Sequence, residues 1–186
     1  NGIDLCIHSC GPLDGPPMLL QQAYPECWLS WRKQMPVLAA AGYRVIAPEM
    51  RGYGRSSAPA EVAAYDLLTL CADIQAAMDA LGQQQVCIVG HDWGSPVAWH
   101  LALLEPTRVR AVVGMSVPFG GRPKKPITET LKQVYAERFN YILYFQQPGL
   151  AERELDADIP RTLRLMMHNW SAAVGRDLFW QDKPRS

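Results

Sequence analysis

The sequence predicts an α/β fold built on a mostly parallel sheet, and three observations support that class. Short apolar runs bounded by turn residues, at 18–20, 43–47, 86–89 and 109–115, have the length and residue types of buried strands. Between them lie longer stretches whose apolar residues recur at spacings of three and four, the period of an amphipathic helix. Strands alternating with helices indicate parallel pairing, because each crossover helix returns the chain to the same end of the sheet. The third observation is the passage from 86–89 into Gly90-His91-Asp92-Trp93-Gly94, followed by a helical pattern through Val97, Ala98, Leu101 and Leu104. Strand, sharp turn and helix, with small residues flanking the central position, form a nucleophile elbow. Aspartate stands where serine is usual.

The elements follow in order. Ile3, Leu5 and Ile7 alternate with Asp4, Cys6 and His8, which predicts a strand with His8 on its solvent side, and the glycines and prolines of 11–17 break it. Residues 18–20 are expected as a central strand and 21–26 as the loop after it. Residues 27–35 predict a helix with Trp28, Trp31 and Met35 along one face, and 36–41 a further helical stretch ended by Gly42. After the strand at 43–47, the stretch 49–57 reads as tight turns and not as a phosphate cradle, since a third glycine and a G-K-[ST] sequence are missing. From 65 to 81, Leu67, Leu70, Cys71, Ile74, Ala77, Met78 and Leu81 mark one face of a helix that Gly82 stops. Pro106 closes the elbow helix, and 109–115 is a further strand. At 117–126 the composition turns to glycine, proline and charge, which marks a boundary. It divides the chain into a sheet-bearing core, 1–120, and a partial helical cap, 121–186, with helices expected at 127–139 and 159–170.

Composition narrows the function classes. A chain of 186 residues with 48% hydrophobic content can bury a real core. Eighteen basic residues balance eighteen acidic ones, so no net field favours nucleic acid or an anionic membrane surface. The apolar stretches are too short to span a bilayer. Cys6, Cys10, Cys27, Cys71 and Cys87 are odd in number and contain no C-x-x-C pair, which suits packed, reduced thiols in a cytoplasmic setting. No cofactor and no metal ion is expected.

The chemistry rests on Asp92. A serine at an elbow needs a histidine to take its proton. A free aspartate, with a reference pKa of about 3.9, is already ionised at neutral pH and can attack an electrophilic sp3 carbon directly. The product is an ester to the enzyme, and its hydrolysis needs a general base and an oxyanion hole. By position, the hole's donors are the backbone N–H groups of Trp93 and Tyr24. The plainer reading is that an aspartate between glycines after a strand caps a helix. The strand, the helix, the aromatic-proline loop and the cap segment favour the nucleophile. His91 and His100 read as structural.

Several stretches together resemble the α/β-hydrolase-fold epoxide hydrolases. They are Gly42-Tyr43-Arg44-Val45-Ile46-Ala47-Pro48, Arg51-Gly52-Tyr53-Gly54-Arg55-Ser56-Ser57, Gly90-His91-Asp92-Trp93-Gly94 and Tyr141-Ile142-Leu143-Tyr144-Phe145-Gln146-Gln147-Pro148-Gly149. The resemblance runs from about residue 2 to about residue 170. It implies an α/β-hydrolase core followed by part of a helical cap, an epoxide substrate with water as co-substrate, and no cofactor. It assigns Asp92 as nucleophile and Tyr141 as the phenol that protonates the opening epoxide oxygen, with Tyr144 one turn away as the alternative. It also implies a cis peptide before Pro25.

The departures bear on mechanism. Gln22-Ala23-Tyr24-Pro25 stands where the family has His-Gly-x-Pro, and Ala23 would strain the loop if φ were positive there. The family's second tyrosine, charge-relay acid and base histidine fall late in the cap or beyond it, so the resemblance implies a chain without the C-terminal part of the fold. His168 falls in a cap helix and is not expected to be the base. A haloalkane dehalogenase using Asp92, and a non-catalytic scaffold, are the alternatives.

Overall fold

The computed structural model describes residues 2–121, 123–169 and 171. The strands are β1 (Ile7–Cys10), β2 (Pro17–Gln21), β3 (Arg44–Pro48), β4 (Val86–His91) and β5 (Val109–Met115), joined in one sheet in the order β1-β3-β2-β4-β5. β1 runs antiparallel to β3, and the other three pairings are parallel. The chain separates into two compact units at Gly120–Gly121.

In the first unit the sheet is covered on both faces. Leu19 and Ile88 point to the side where α2 (Leu67–Ala80) and α3 (Gly94–Leu104) supply Cys71, Ile74, Met78, Val97, Ala98 and Leu101. Leu20, Val45 and Ala47 point the other way, onto Trp31 and onto Met35 of α1 (Gln34–Ala40). Alternate burial of neighbouring strand residues on opposite faces explains why these strands read as continuous apolar runs.

Helix boundaries differ from the expectation in two places. Residues 27–35 do not form one helix: Trp28–Trp31 is a 3-10 turn, and α1 starts at Gln34 and runs through Pro36. A proline in the first turn forfeits only an N–H that has no intrahelical partner anyway, so Pro36 is not a boundary. The helix expected from Tyr65 starts at Leu67. Asp66 caps it by accepting from the Thr69 N–H at 2.9 Å.

His8 departs from its expected solvent-side position. Its Nε2 lies 3.2 Å from Glu49 Oε1, its ring stacks on Trp28 at 3.8 Å between centroids, and its side chain is 18% exposed. The strand pattern shows alternation but not which side a neighbouring loop will cover.

The second unit is helical among the described residues: α4 (Ile127–Val134), α5 (Tyr141–Tyr144), α6 (Leu150–Leu155), a 3-10 turn at Asp156–Asp158 and α7 (Ile159–Asn169). α4 ends before the expected 139. The acidic stretch between the two expected helices, 150–158, is itself helical, and the Glu152 carboxylate accepts from the Gly149 N–H at 2.7 Å where α6 opens. No described helix is long and apolar enough to cross a membrane.

Candidate active site

β4 delivers the chain to Asp92, which sits at φ 52°. That left-handed conformation is uncommon outside glycine but accessible to aspartate. The flanking glycines show what imposes it. A Cβ on Gly90 would meet the Gly94 backbone and lie 2.7 Å from Ser95 Cα, while one on Gly94 would lie 2.6 Å from the Gln21 carbonyl oxygen. The first turn of α3 therefore rests directly on β4 and β2, and only glycine permits that approach. Ser95, fully buried, locks the turn: its Oγ lies 2.7 Å from the Gly90 carbonyl and 2.8 Å from that of Met115, and it accepts from the Met115 N–H at 3.2 Å. The Asp92 N–H donates to the Met115 carbonyl at 3.3 Å, and its own carbonyl accepts from the Ser95 N–H at 3.0 Å.

One Asp92 carboxylate oxygen, Oδ1, is buried and meets no hydrogen-bond partner among the described residues. A buried oxygen in that state costs free energy. The N-cap position of α3 is Trp93, so Asp92 lies one residue before it.

The two expected oxyanion donors differ. The Trp93 N–H has no partner among the described residues. The Tyr24 backbone hydrogen-bonds the Tyr53 hydroxyl, and because this contact favours the phenolate, the N–H is its donor. Burial is the larger influence and pushes the Tyr53 phenol up to about 12, with the negative charge of Asp92 adding to it. Tyr53 is thus a protonated hydroxyl beside both Tyr24 and the elbow, and sequence reasoning gave it no role. Its loop is 29 residues from Tyr24 (53 − 24), and nothing local in the pattern links them. Tyr24-Pro25 is cis, as the resemblance implied. Ala23 is not among the positive-φ residues, so alanine for glycine brings no strain there.

A polar chain crosses the loop after β2. The Glu26 carboxylate accepts from the Gln22 amide nitrogen, which turns Gln22 Oε1 toward His91 Nδ1 at 2.8 Å. A carboxylate can only accept, so the amide orientation is fixed and His91 Nδ1 carries a proton. His91 is held structurally by Gln22, which replaces the histidine that the family resemblance led one to expect.

The loop 49–57 is held by charge. Arg51 forms a two-bond pair with Asp73 of α2, Nε to Oδ2 and Nη2 to Oδ1, each at 2.6 Å, and donates Nη1 to the Ala64 carbonyl at 2.6 Å. Gly52 and Gly54 take positive φ in the turns of this loop.

In the second unit, Tyr141 opens α5 and its ring meets Phe145 edge-on at 6.0 Å. Tyr144 donates its hydroxyl proton to Glu154 Oε2 at 2.6 Å, and that bond to a carboxylate pushes its phenol up to about 12. His100 bonds the Pro96 carbonyl through Nδ1 at 2.8 Å, within its own helix, and His168 lies in α7.

Comparison with known proteins adds the following. A family model described as alpha/beta hydrolase fold matches residues 16–161. The chain is 44% identical to Epoxide hydrolase A of Mycobacterium tuberculosis over 167 residues, which is 90% of this chain and 52% of that protein. It is 45% identical over 151 residues to Bifunctional epoxide hydrolase 2 of Sus scrofa, covering 81% of this chain and 27% of the relative. The crystal structure of Epoxide Hydrolase A from Mycobacterium thermoresistibile superposes with a TM-score of 0.91 at 41% identity, over 100% of this chain and 59% of that one. The chain therefore spans about half the length, or less, of these relatives.

Proposed function

Because this chain belongs to the α/β-hydrolase fold family, we propose that it is epoxide hydrolase-like and captures an epoxide on Asp92. The observation that carries the reading is the elbow aspartate, held at φ 52° with a buried oxygen that no described residue satisfies. In this reading a carboxylate oxygen of Asp92 attacks an epoxide carbon, the carbon–oxygen bond of the ring breaks, and an alkyl ester forms as the ring oxygen leaves as alkoxide. Tyr141, on the segment proposed as the cap, gives that oxygen its proton. Tyr144 is the weaker candidate, since its proton is already committed to Glu154. The sequence similarity to proteins named epoxide hydrolases supports the choice of an epoxide over other electrophiles.

Hydrolysis of the ester would place negative charge on its carbonyl oxygen, next to the Trp93 N–H and the Tyr24 N–H proposed as the oxyanion hole, the latter exchanging the Tyr53 hydroxyl for that oxygen. It also needs a general base. His8 is engaged by Glu49, His91 by Gln22 and His100 by Pro96, and none is assigned that role. His168 is not assigned it either. Capture and release are thus separate steps, and the ester is the species that intact mass reads.

Intact-mass measurement after incubation with styrene oxide tests the reading. A gain equal to one whole epoxide is expected in the native chain and no gain in Asp92→Asn; an adduct that persists in Asp92→Asn removes the assignment. Tyr141→Phe should slow capture of the epoxide while sparing capture of a haloalkane, which needs no protonated leaving group. Equal loss on both would count against the acid role.

A further inference from the structure

A second cluster of chemically capable side chains lies at the β1 edge of the sheet, with β3 and β2 between β1 and the elbow strand β4. The β1–β3 register pairs Ile7 with Pro48, and the Glu49 N–H donates to the Cys6 carbonyl at 2.9 Å, so Cys6 and Glu49 extend that ladder as a cross-strand pair. His8 lies two residues along from Cys6 and therefore on the same side. Cys6 Sγ is 3.6 Å from His8 Nε2, which is 3.2 Å from Glu49 Oε1, and the three ligand atoms all lie within 4.8 Å of one another.

The sulfur–nitrogen and nitrogen–oxygen separations match two edges of a metal tetrahedron. Bonds of about 2.3 Å to sulfur and about 2.05 Å to nitrogen or oxygen, at tetrahedral angles, place sulfur about 3.6 Å from nitrogen and nitrogen about 3.3 Å from oxygen. From this agreement we infer that Cys6, His8 and Glu49 form a binding site for a thiophilic divalent cation of the zinc class.

Three further features fit that role. The Arg55 N–H holds Glu49 Oε2 at 2.6 Å, leaving Oε1 to face the cluster. Gly54 is needed for this, because a Cβ there would collide with the Glu49 carboxylate. Such support of a ligating carboxylate is how metal sites orient their ligands. The charges balance as well: a thiolate and a carboxylate neutralise a dication, which lets the group sit against a 6% exposed Glu49. His8, 18% exposed, leaves an approach for a water as fourth ligand.

Binding would proceed by displacement of protons. Without a cation, the same distances serve hydrogen bonds among a protonated thiol, the imidazole and the carboxylate. Cation binding takes the proton from Cys6 to the buffer, turns the Nε2 lone pair of His8 toward the metal with the proton on Nδ1, and forms bonds from sulfur, nitrogen and oxygen. A thiolate with an imidazole selects zinc over magnesium or calcium. The structural effect would be to fasten edge strand β1 to the loop that carries Tyr53.

Cobalt(II) titration of the reduced, chelator-treated 186-residue chain reads the site through sulfur. The expected result is one equivalent bound, with a thiolate-to-cobalt charge-transfer band and the intense visible bands of four-coordinate cobalt, both abolished by added zinc. Cys6→Ser should remove the charge-transfer band and weaken zinc, measured against a chromophoric chelator, by at least about 100-fold. Glu49→Gln and His8→Gln should keep a thiolate but weaken zinc as well, and serve if Cys6→Ser does not fold. Cys10→Ser and Asp92→Asn should leave the band intact. No charge-transfer band in the folded native chain, a band that survives Cys6→Ser, or a band lost in Cys10→Ser would overturn the assignment.

Discussion

Replacing Asp73 by alanine strands the Arg51 guanidinium inside the protein. Arg51 is 4% exposed and Asp73 3%, and the pair makes two bonds at 2.6 Å in the fork geometry that suits a carboxylate. Removing one member of such a pair leaves an uncompensated buried charge, at a cost of about 3–5 kcal/mol. One contact survives, Nη1 to the Ala64 carbonyl at 2.6 Å, which places the expected loss near the lower end, about 3 kcal/mol. For a chain of this size each kcal/mol moves Tm by roughly 2–4 °C, so the transition should fall by about 6–12 °C. Urea unfolding followed by circular dichroism, with a calorimetric scan alongside, measures both. The double variant Arg51→Met/Asp73→Leu removes both charges and should recover most of the loss, since a buried ion pair is often no better than a well-packed apolar pair. A loss below about 1 kcal/mol in Asp73→Ala, or a double variant as unstable as the single, would refute the reasoning.

Two other predictions concern burial of single groups. Gln21 is fully buried, and both its amide atoms lack a partner among the described residues, so Gln21→Leu should stabilise the chain by about 1–3 kcal/mol; an unchanged or lower urea midpoint would mean the amide is satisfied. Burial raises the Tyr53 phenol from 10.0 to about 12, so the folded state holds this proton more tightly than the unfolded chain. That stability is fully present below about pH 10 and is lost as pH rises toward about 12, by roughly 2–3 kcal/mol. Tyr53→Phe should flatten this part of the alkaline unfolding profile, and superimposable profiles would sink the idea. Cys71, raised from 9.0 to about 11 by burial, acts in the same direction from about pH 9 and should leave its own share in both proteins.

What the sequence made legible is what is local. The run from Val86 through Asp92 to Leu101 declares its strand, turn and helix within a few residues, because the glycines at 90 and 94 and the apolar spacing are all in one stretch. What it hid is what depends on partners far along the chain. Arg51 and Asp73 are 22 residues apart, Tyr53 meets Tyr24 across two elements, and His8 is covered because the antiparallel β1–β3 pairing brings Glu49 to it. Alternation along 3–8 shows that one side of the strand is wet without showing that a loop will reach over it. Helix starts stay hidden for a different reason: Asp66 is a cap that no apolar spacing announces, and Pro36, where the second of the two expected stretches begins, lies inside the first turn of α1, which tolerates it.

The packing around Asp92 has a consequence for how such a site can change. Its backbone is set by neighbours: two glycines pressed against β2 and β4, and a buried serine hydroxyl tying the turn to β5. In the proposed mechanism the residue displayed there would supply the nucleophile but little of the geometry. Short side chains that tolerate left-handed φ, asparagine and aspartate above all, suit a backbone socket set this way, so the displayed group and the scaffold are separable features. By the same logic, a substitution at Gly90 or Gly94 alters every chemistry the socket could host.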